Sequence, residues 1–204
     1  MGTIRIKRLH STYTPFFILL LVGLLTELAS FIFIDTFKIS NAPVINVYGL
    51  LECCIILYQL YVWQNPAKRR RLFIFLSVLC VLVWIIENIV FFNINIFSPY
   101  FRVLYAFIII LLSINQINSM MFNHEGALFK DPAFIICLGF IIIFLYQIIL
   151  EASFFIGSDQ SVVANKIIMG FGYINLVINL LYAVALFFIT GNKENEYNHY
   201  FRKL

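Results

Sequence analysis

Six long apolar stretches run along the chain, at residues 13–34, 44–63, 72–92, 103–122, 133–156 and 162–189, with short polar segments between them. A helix needs about 20 predominantly apolar residues to cross the hydrocarbon core of a bilayer, and each stretch is that long. Polar residues inside the stretches recur at helical spacing rather than alternating, which argues against strands. Tyr48, Glu52 and Gln59 share a face of the second stretch, and Ser77, Cys80, Trp84 and Glu87 a face of the third. Gln147 and Glu151 are four apart on the fifth; the fourth carries Asn115, Gln116 and Asn118. The last carries Asn165, Gly172, Asn175, Asn179 and Tyr182, and its length and early Lys166 place its start in the membrane interface. The pattern predicts an all-α, integral membrane six-helix bundle whose polar faces turn inward.

Arg5, Lys7 and Arg8 precede the first stretch as in a signal peptide. That stretch is about twice as long as a signal h-region and holds Glu27, so it reads as a retained span. The whole chain, 1–204, is expected to be one transmembrane domain, with 191–204 as a short cytoplasmic tail.

Basic residues orient the spans. With the N-terminus inside, eleven of the fourteen Lys and Arg fall on the inner side, and only Lys38, Arg102 and Lys166 on the outer. The run Lys68–Arg71 is the strongest inner anchor. Both termini are expected to be cytoplasmic.

An internal repeat is also legible. Glu27, Glu87 and Glu151 lie in the outer thirds of the odd-numbered spans, in similar strings: Glu-Leu-Ala-Ser-Phe-Ile, Glu-Asn-Ile-Val-Phe-Phe and Glu-Ala-Ser-Phe-Phe-Ile. A short polar loop follows each, then a span with an early tyrosine: Tyr48, Tyr105 or Tyr173. Three tandem helical hairpins in the same sense fit this pattern, as does coincidence between short apolar strings.

Composition agrees with a membrane protein. Hydrophobic residues make up 62% of the chain and charged residues 12%, where soluble domains carry about 25% charged residues. A soluble enzyme, a secreted disulfide scaffold and a disordered tail are thereby excluded. The net charge of +4 comes from short patches beside the spans and does not imply nucleic acid. Cys53, Cys54, Cys80 and Cys137 lie in apolar runs without a C-x-x-C and read as small buried hydrophobes. His10, His124 and His199 are all outside the spans, which argues against haem and zinc sites. There is no Glu-x-x-His pair, phosphate loop, H-E-x-x-H or G-x-S-x-G. No cofactor, metal site or catalytic residue is expected.

The sharpest chemical signal is the set of acids inside the spans: Glu27, Glu52, Glu87 and Glu151. A carboxylate at the bilayer centre costs about 2.5–3.5 kcal/mol on insertion scales, so four facing lipid would be expensive. All four lie toward the outer side, and an outward-facing polar pocket is the natural consequence. Arg102 and Lys166 are the available counter-charges, and Lys166 is close enough in sequence to pair with Glu151. Tyr48, Asn175 and Asn179 complete the candidate pocket residues. Packing offers a simpler role, since polar side chains in membrane helices also hydrogen-bond across helix contacts, at about 0.6 kcal/mol each.

The string Asn41-Ala-Pro-Val-Ile-Asn46-Val-Tyr48-Gly-Leu-Leu-Glu52, with Lys130-Asp-Pro-Ala-Phe134 opening the fifth span, resembles small polytopic inner-membrane proteins common in Bacteroidota. The resemblance implies an all-helical bundle in a bacterial inner membrane. It carries over no activity and no site residue.

Three functions are compatible with these features. The first is a sensory or ligand-binding accessory module acting through a membrane-bound signalling or complex partner, because the chain has almost no cytoplasmic mass of its own. The second is a small transporter for a cation or a proton-coupled solute. The third is a structural membrane subunit. Beyond the lipid bilayer and such a partner, no nucleic acid is expected to bind.

Overall fold

The computed structural model describes residues 11–64, 66–91, 94–123, 128–155 and 162–189. Arg5, Lys7, Arg8, the tail 191–204 and the three histidines lie outside the described residues, as do the side chains of Lys68 and Asn165. Six helices are long and apolar enough to cross a membrane: Thr14–Thr36, Ala42–Trp63, Arg69–Phe91, Pro99–Phe122, Pro132–Ser153 and Lys166–Phe188. No strand occurs among the described residues. The protein is an all-α, multi-pass membrane protein.

The helices are α1 (Thr14–Phe31), α2 (Ala42–Trp63), α3 (Pro66–Ile85), α4 (Pro99–Asn123), α5 (Pro132–Phe155) and α6 (Val162–Phe188). All five prolines of the chain stand at the first or second position of a helix: Pro15, Pro43, Pro66, Pro99 and Pro132. There a missing N–H removes nothing, because the first four helical N–H groups have no partner within the helix. The spans are thus punctuated by proline at their starts and free of it inside. Asp131 adds a side-chain cap to α5, its Oδ1 accepting from the Ala133 N–H at 2.8 Å.

α1 and α3 each run on into a widened, π-type turn, Ile32–Thr36 and Ile86–Phe91. The first closes with the Phe37 N–H on the Ile32 carbonyl at 3.2 Å. Lys38 follows with a left-handed φ of 55°. The second widened turn carries Glu87 and Asn88, both buried.

The chain divides into two compact units, Thr12–Tyr105 and Ala106–Leu204 with Met1–Ser11. In the first, α1 packs on α2 and α2 on α3, and the unit also takes the first two turns of α4. Gln59, fully buried on α2, fastens the start of α1. Its Oε1 accepts from the Phe16 N–H at 2.8 Å and its Nε2 donates to the Thr12 carbonyl at 2.7 Å. Tyr13 meets Trp63 edge-on beside this link, with ring centroids 5.7 Å apart.

The second unit is built on the close pairing of α5 with α6. Gly139 lets the Tyr182 ring lie directly on the α5 backbone; a Cβ there would overlap the ring. Gly170 receives the Tyr146 hydroxyl in the same way. That hydroxyl donates to the Ile167 carbonyl at 2.9 Å, and the Tyr146 ring stacks on Phe171. Among the described side chains of α6 the buried ones are Ile178, Tyr182 and Ala185, and Ile189 just past its end is buried too.

Candidate functional site

The polar centre of the first unit is Glu52, half-buried at the middle of α2. Tyr48, one turn earlier, donates its hydroxyl to Glu52 Oε1 at 2.9 Å. Tyr105 reaches across from α4 and donates to Oε2 at 2.8 Å. Each carboxylate oxygen is therefore held by a phenol from a different helix. Small residues make room for both rings. A Cβ on Gly49 would sit 3.7 Å from the Phe101 ring and 4.0 Å from Tyr105, and one on Gly23 of α1 would sit 3.5 Å from the Tyr48 hydroxyl. The Phe101 and Tyr105 rings lie 4.9 Å apart, tilted by 38°.

Arg102, half-buried on the first turn of α4, places its charge within reach of both Glu52 and Glu87.

Glu87 is buried, at 4% exposure, but does not line an open site. Its Oε1 accepts from the Tyr100 N–H at 3.0 Å and its Oε2 from the Phe101 N–H at 2.6 Å. It closes the first turn of α4, where unpaired N–H groups and the positive end of the helix dipole favour a carboxylate.

Beside it lies a network absent from the sequence-based candidates. Asn46 donates through Nδ2 to the Ile94 and Ile96 carbonyls, at 2.9 and 2.7 Å. Its Oδ1 accepts from the Ser98 N–H at 3.3 Å, and its backbone carbonyl accepts from Trp84 Nε1 at 2.9 Å. Ser98 Oγ donates to Asn88 Oδ1 at 2.6 Å, and Asn88 Nδ2 donates to the Trp84 carbonyl at 3.1 Å. The sequence signals were Trp84's place on the polar face of the third stretch and Asn46's place in the string from Asn41 to Glu52, together with the helix-start pair Ser98-Pro99.

The remaining candidates do not join this centre. Glu27 is exposed on α1, contrary to the expectation that the intramembrane acids turn inward. Glu151 is buried on α5, in the second unit. Lys166 is exposed at the start of the α6 span, and no ion pair between it and Glu151 is present among the described residues. The expected inward polar face of α6 is only partly realised: Tyr182 is buried and Asn175 half-buried, while Gly172 and Asn179 are exposed. Asn179 Nδ2 donates to Asn175 Oδ1 at 3.4 Å, so these two amides are linked along the helix. On α4, Gln116 is buried and Asn118 exposed. Tyr173, the third of the early tyrosines, is exposed, unlike Tyr48 and Tyr105, which converge on Glu52.

The cysteines also depart from a uniform buried set. Cys54 is exposed on α2, whereas Cys53 on α2 and Cys80 on α3 are fully buried. No group of three His, Cys, Asp or Glu able to hold a metal occurs among the described residues. No family model matches the chain, and no curated protein or solved structure is significantly similar to it.

Proposed function

We propose that this membrane protein is a ligand-binding accessory module whose site is centred on Glu52. The observation that carries this reading is the pair of phenols, Tyr48 and Tyr105, fixing a half-buried carboxylate in the middle of a membrane-length helix. A carboxylate at that depth is costly, and a role in packing alone is better served by a neutral amide. Its remaining lone pairs suit a small molecule that presents a cationic or hydrogen-bond-donating group.

The charge rule puts the start of α4, and with it this site, toward the outer side of a bacterial inner membrane. The chain would pass occupancy on through a membrane-bound partner.

The test is native mass spectrometry of the protein extracted in mild detergent from its own membranes, comparing wild type with Glu52→Gln. The expected result is a small bound mass on the wild type that the variant lacks, with both proteins folded by circular dichroism. A partner protein retained in the same spectrum would identify the pathway. Identical spectra, with neither protein carrying a small molecule, would remove the support for a site at Glu52.

A further inference from the structure

Lys68, Arg69, Arg70 and Arg71 follow one another in the first two turns of α3. Topology asks only that positive charge lie on the inner side of the membrane, not which helix end carries it. α2 ends at Trp63 and α3 begins at Pro66, so both ends stand on the same side. Cations in the last turn of α2 would meet the topology rule and also the negative end of that helix's dipole. That turn holds no basic residue. The cations instead crowd the positive end of the α3 dipole, where no acid stands in the first turn. Their charge adds to that of the dipole and of its unpaired N–H groups, and an anion relieves both.

The side chains leave that charge open. Arg69 Nη1 donates to Gln64 Oε1 at 2.8 Å, and Gln64 is buried. A neutral amide fixes the guanidinium without neutralising it and leaves most of its N–H donors for other partners. Phe73, one turn further on the same face, is buried and meets Tyr61 of α2 edge-on, with ring centroids 5.5 Å apart. The Arg69 face of α3 is therefore held against α2. Arg70 and Arg71 are exposed, and neither is paired with a carboxylate among the described residues. The acids nearest in sequence, Glu52 and Glu87, stand at the middle of α2 and beyond the far end of α3. Phe75, Val78 and Leu82 continue the Arg71 face at helical spacing, all exposed, along the apolar span that begins at Arg69.

A basic patch at the membrane boundary, continuous with an apolar lipid-facing stripe, matches the two parts of a phospholipid that carries net negative charge. We propose that the start of α3 binds an anionic phospholipid of the inner leaflet. Its phosphodiester lies on Arg70 and Arg71 beside the fixed Arg69, and its acyl chains run along Phe75, Val78 and Leu82. Guanidinium groups suit this ligand, because their planar forks bind phosphate oxygens in pairs. A zwitterionic headgroup brings its own ammonium to the patch and is held less well. The inference rests on the cations of α3 and does not depend on ligand binding at Glu52.

The test uses the full chain, purified in mild detergent, stripped of lipid and titrated in native mass spectrometry with phosphatidylglycerol, phosphatidylethanolamine or inorganic phosphate. The wild type is expected to retain phosphatidylglycerol at collision energies that remove phosphatidylethanolamine, and to bind inorganic phosphate far more weakly than the lipid. Arg70→Gln/Arg71→Gln should weaken phosphatidylglycerol binding about 30-fold. Lys7→Gln/Arg8→Gln removes the same net charge elsewhere and should bind as the wild type does. Equal retention of the two phospholipids, or phosphate bound as tightly as lipid, would overturn the proposal. So would a loss in Arg70→Gln/Arg71→Gln no greater than that in Lys7→Gln/Arg8→Gln. The wild-type comparison of the two phospholipids decides the question even where Arg70→Gln/Arg71→Gln fails to fold.

Discussion

Glu87 Oε2 accepts a 2.6 Å hydrogen bond from the backbone N–H of Phe101, so an acid at the end of α3 closes the first turn of α4. The second oxygen does the same for Tyr100 at 3.0 Å. Hydrogen bonds to a charged group contribute about 1.5–3 kcal/mol, and a lost helix cap costs about 0.5–2 kcal/mol. Glu87→Ala is therefore expected to cost about 2–3 kcal/mol, and Glu87→Gln less, because an amide oxygen can still accept one of the two bonds. Thermal unfolding in detergent checks this. An alanine variant melting with the wild type would show that the cap contributes nothing.

Asn46 makes a related prediction of a different kind. It is 2% exposed and holds the Ile94, Ile96 and Ser98 backbone through both ends of its amide. Asn46→Asp keeps the shape and the acceptor but loses both donors, leaving two carbonyls facing a carboxylate. Stranding a buried polar group costs about 1–3 kcal/mol. Faster amide hydrogen exchange is expected at 94–98, with the middle of α2 protected as before. Unchanged exchange in the loop would mean that Asn46 does not hold it.

The outline of the fold was readable because a bilayer asks little of a sequence beyond enough consecutive apolar residues. All six spans follow from that. The acids were harder. Glu27, Glu87 and Glu151 share local strings, yet one is exposed, one caps α4 and one is buried on α5. Those differences are set by which helix passes nearby, and a short string holds no information on that. The same limit hid the contact of Tyr105 with Glu52. It joins residues brought together only by helix packing, 53 positions apart. On α6 the helical spacing of Asn175 and Asn179 suggested an inward face. The two amides instead pair with each other along the helix, which lets Asn179 remain on the exposed side.

The two phenols on Glu52 should behave as a coupled set. Tyr48→Phe and Tyr105→Phe each remove one donor and leave the ring in place. Each is expected to destabilise the protein or weaken its small-molecule retention in the wild-type background, and to have a much smaller effect when Glu52 is already Gln. A double-mutant cycle measures the difference, and residues within one hydrogen-bond network typically couple by about 0.5–3 kcal/mol. Additive effects would mean that the phenols act through packing and not through the acid.

Two glycines separate close packing from conformational freedom on the α5–α6 pair. A Cβ on Gly139 would run into the Tyr182 ring, whereas one on Gly172 meets nothing within 4 Å. Tyr182 is itself buried and packed edge-on against Phe140, so it has little room to retreat. Overpacking of this kind costs about 1–3 kcal/mol, while glycine to alanine in an open helical position gains up to about 1 kcal/mol. Gly139→Ala should therefore lower the melting temperature, and Gly172→Ala should leave it unchanged or raise it. Tyr182→Ala by itself opens a cavity, but combined with Gly139→Ala it should cost less than the sum of the two single changes, because the added methyl then enters vacated space. Strict additivity in that pair would mean that the ring and the glycine are not the contact that brings α5 and α6 together.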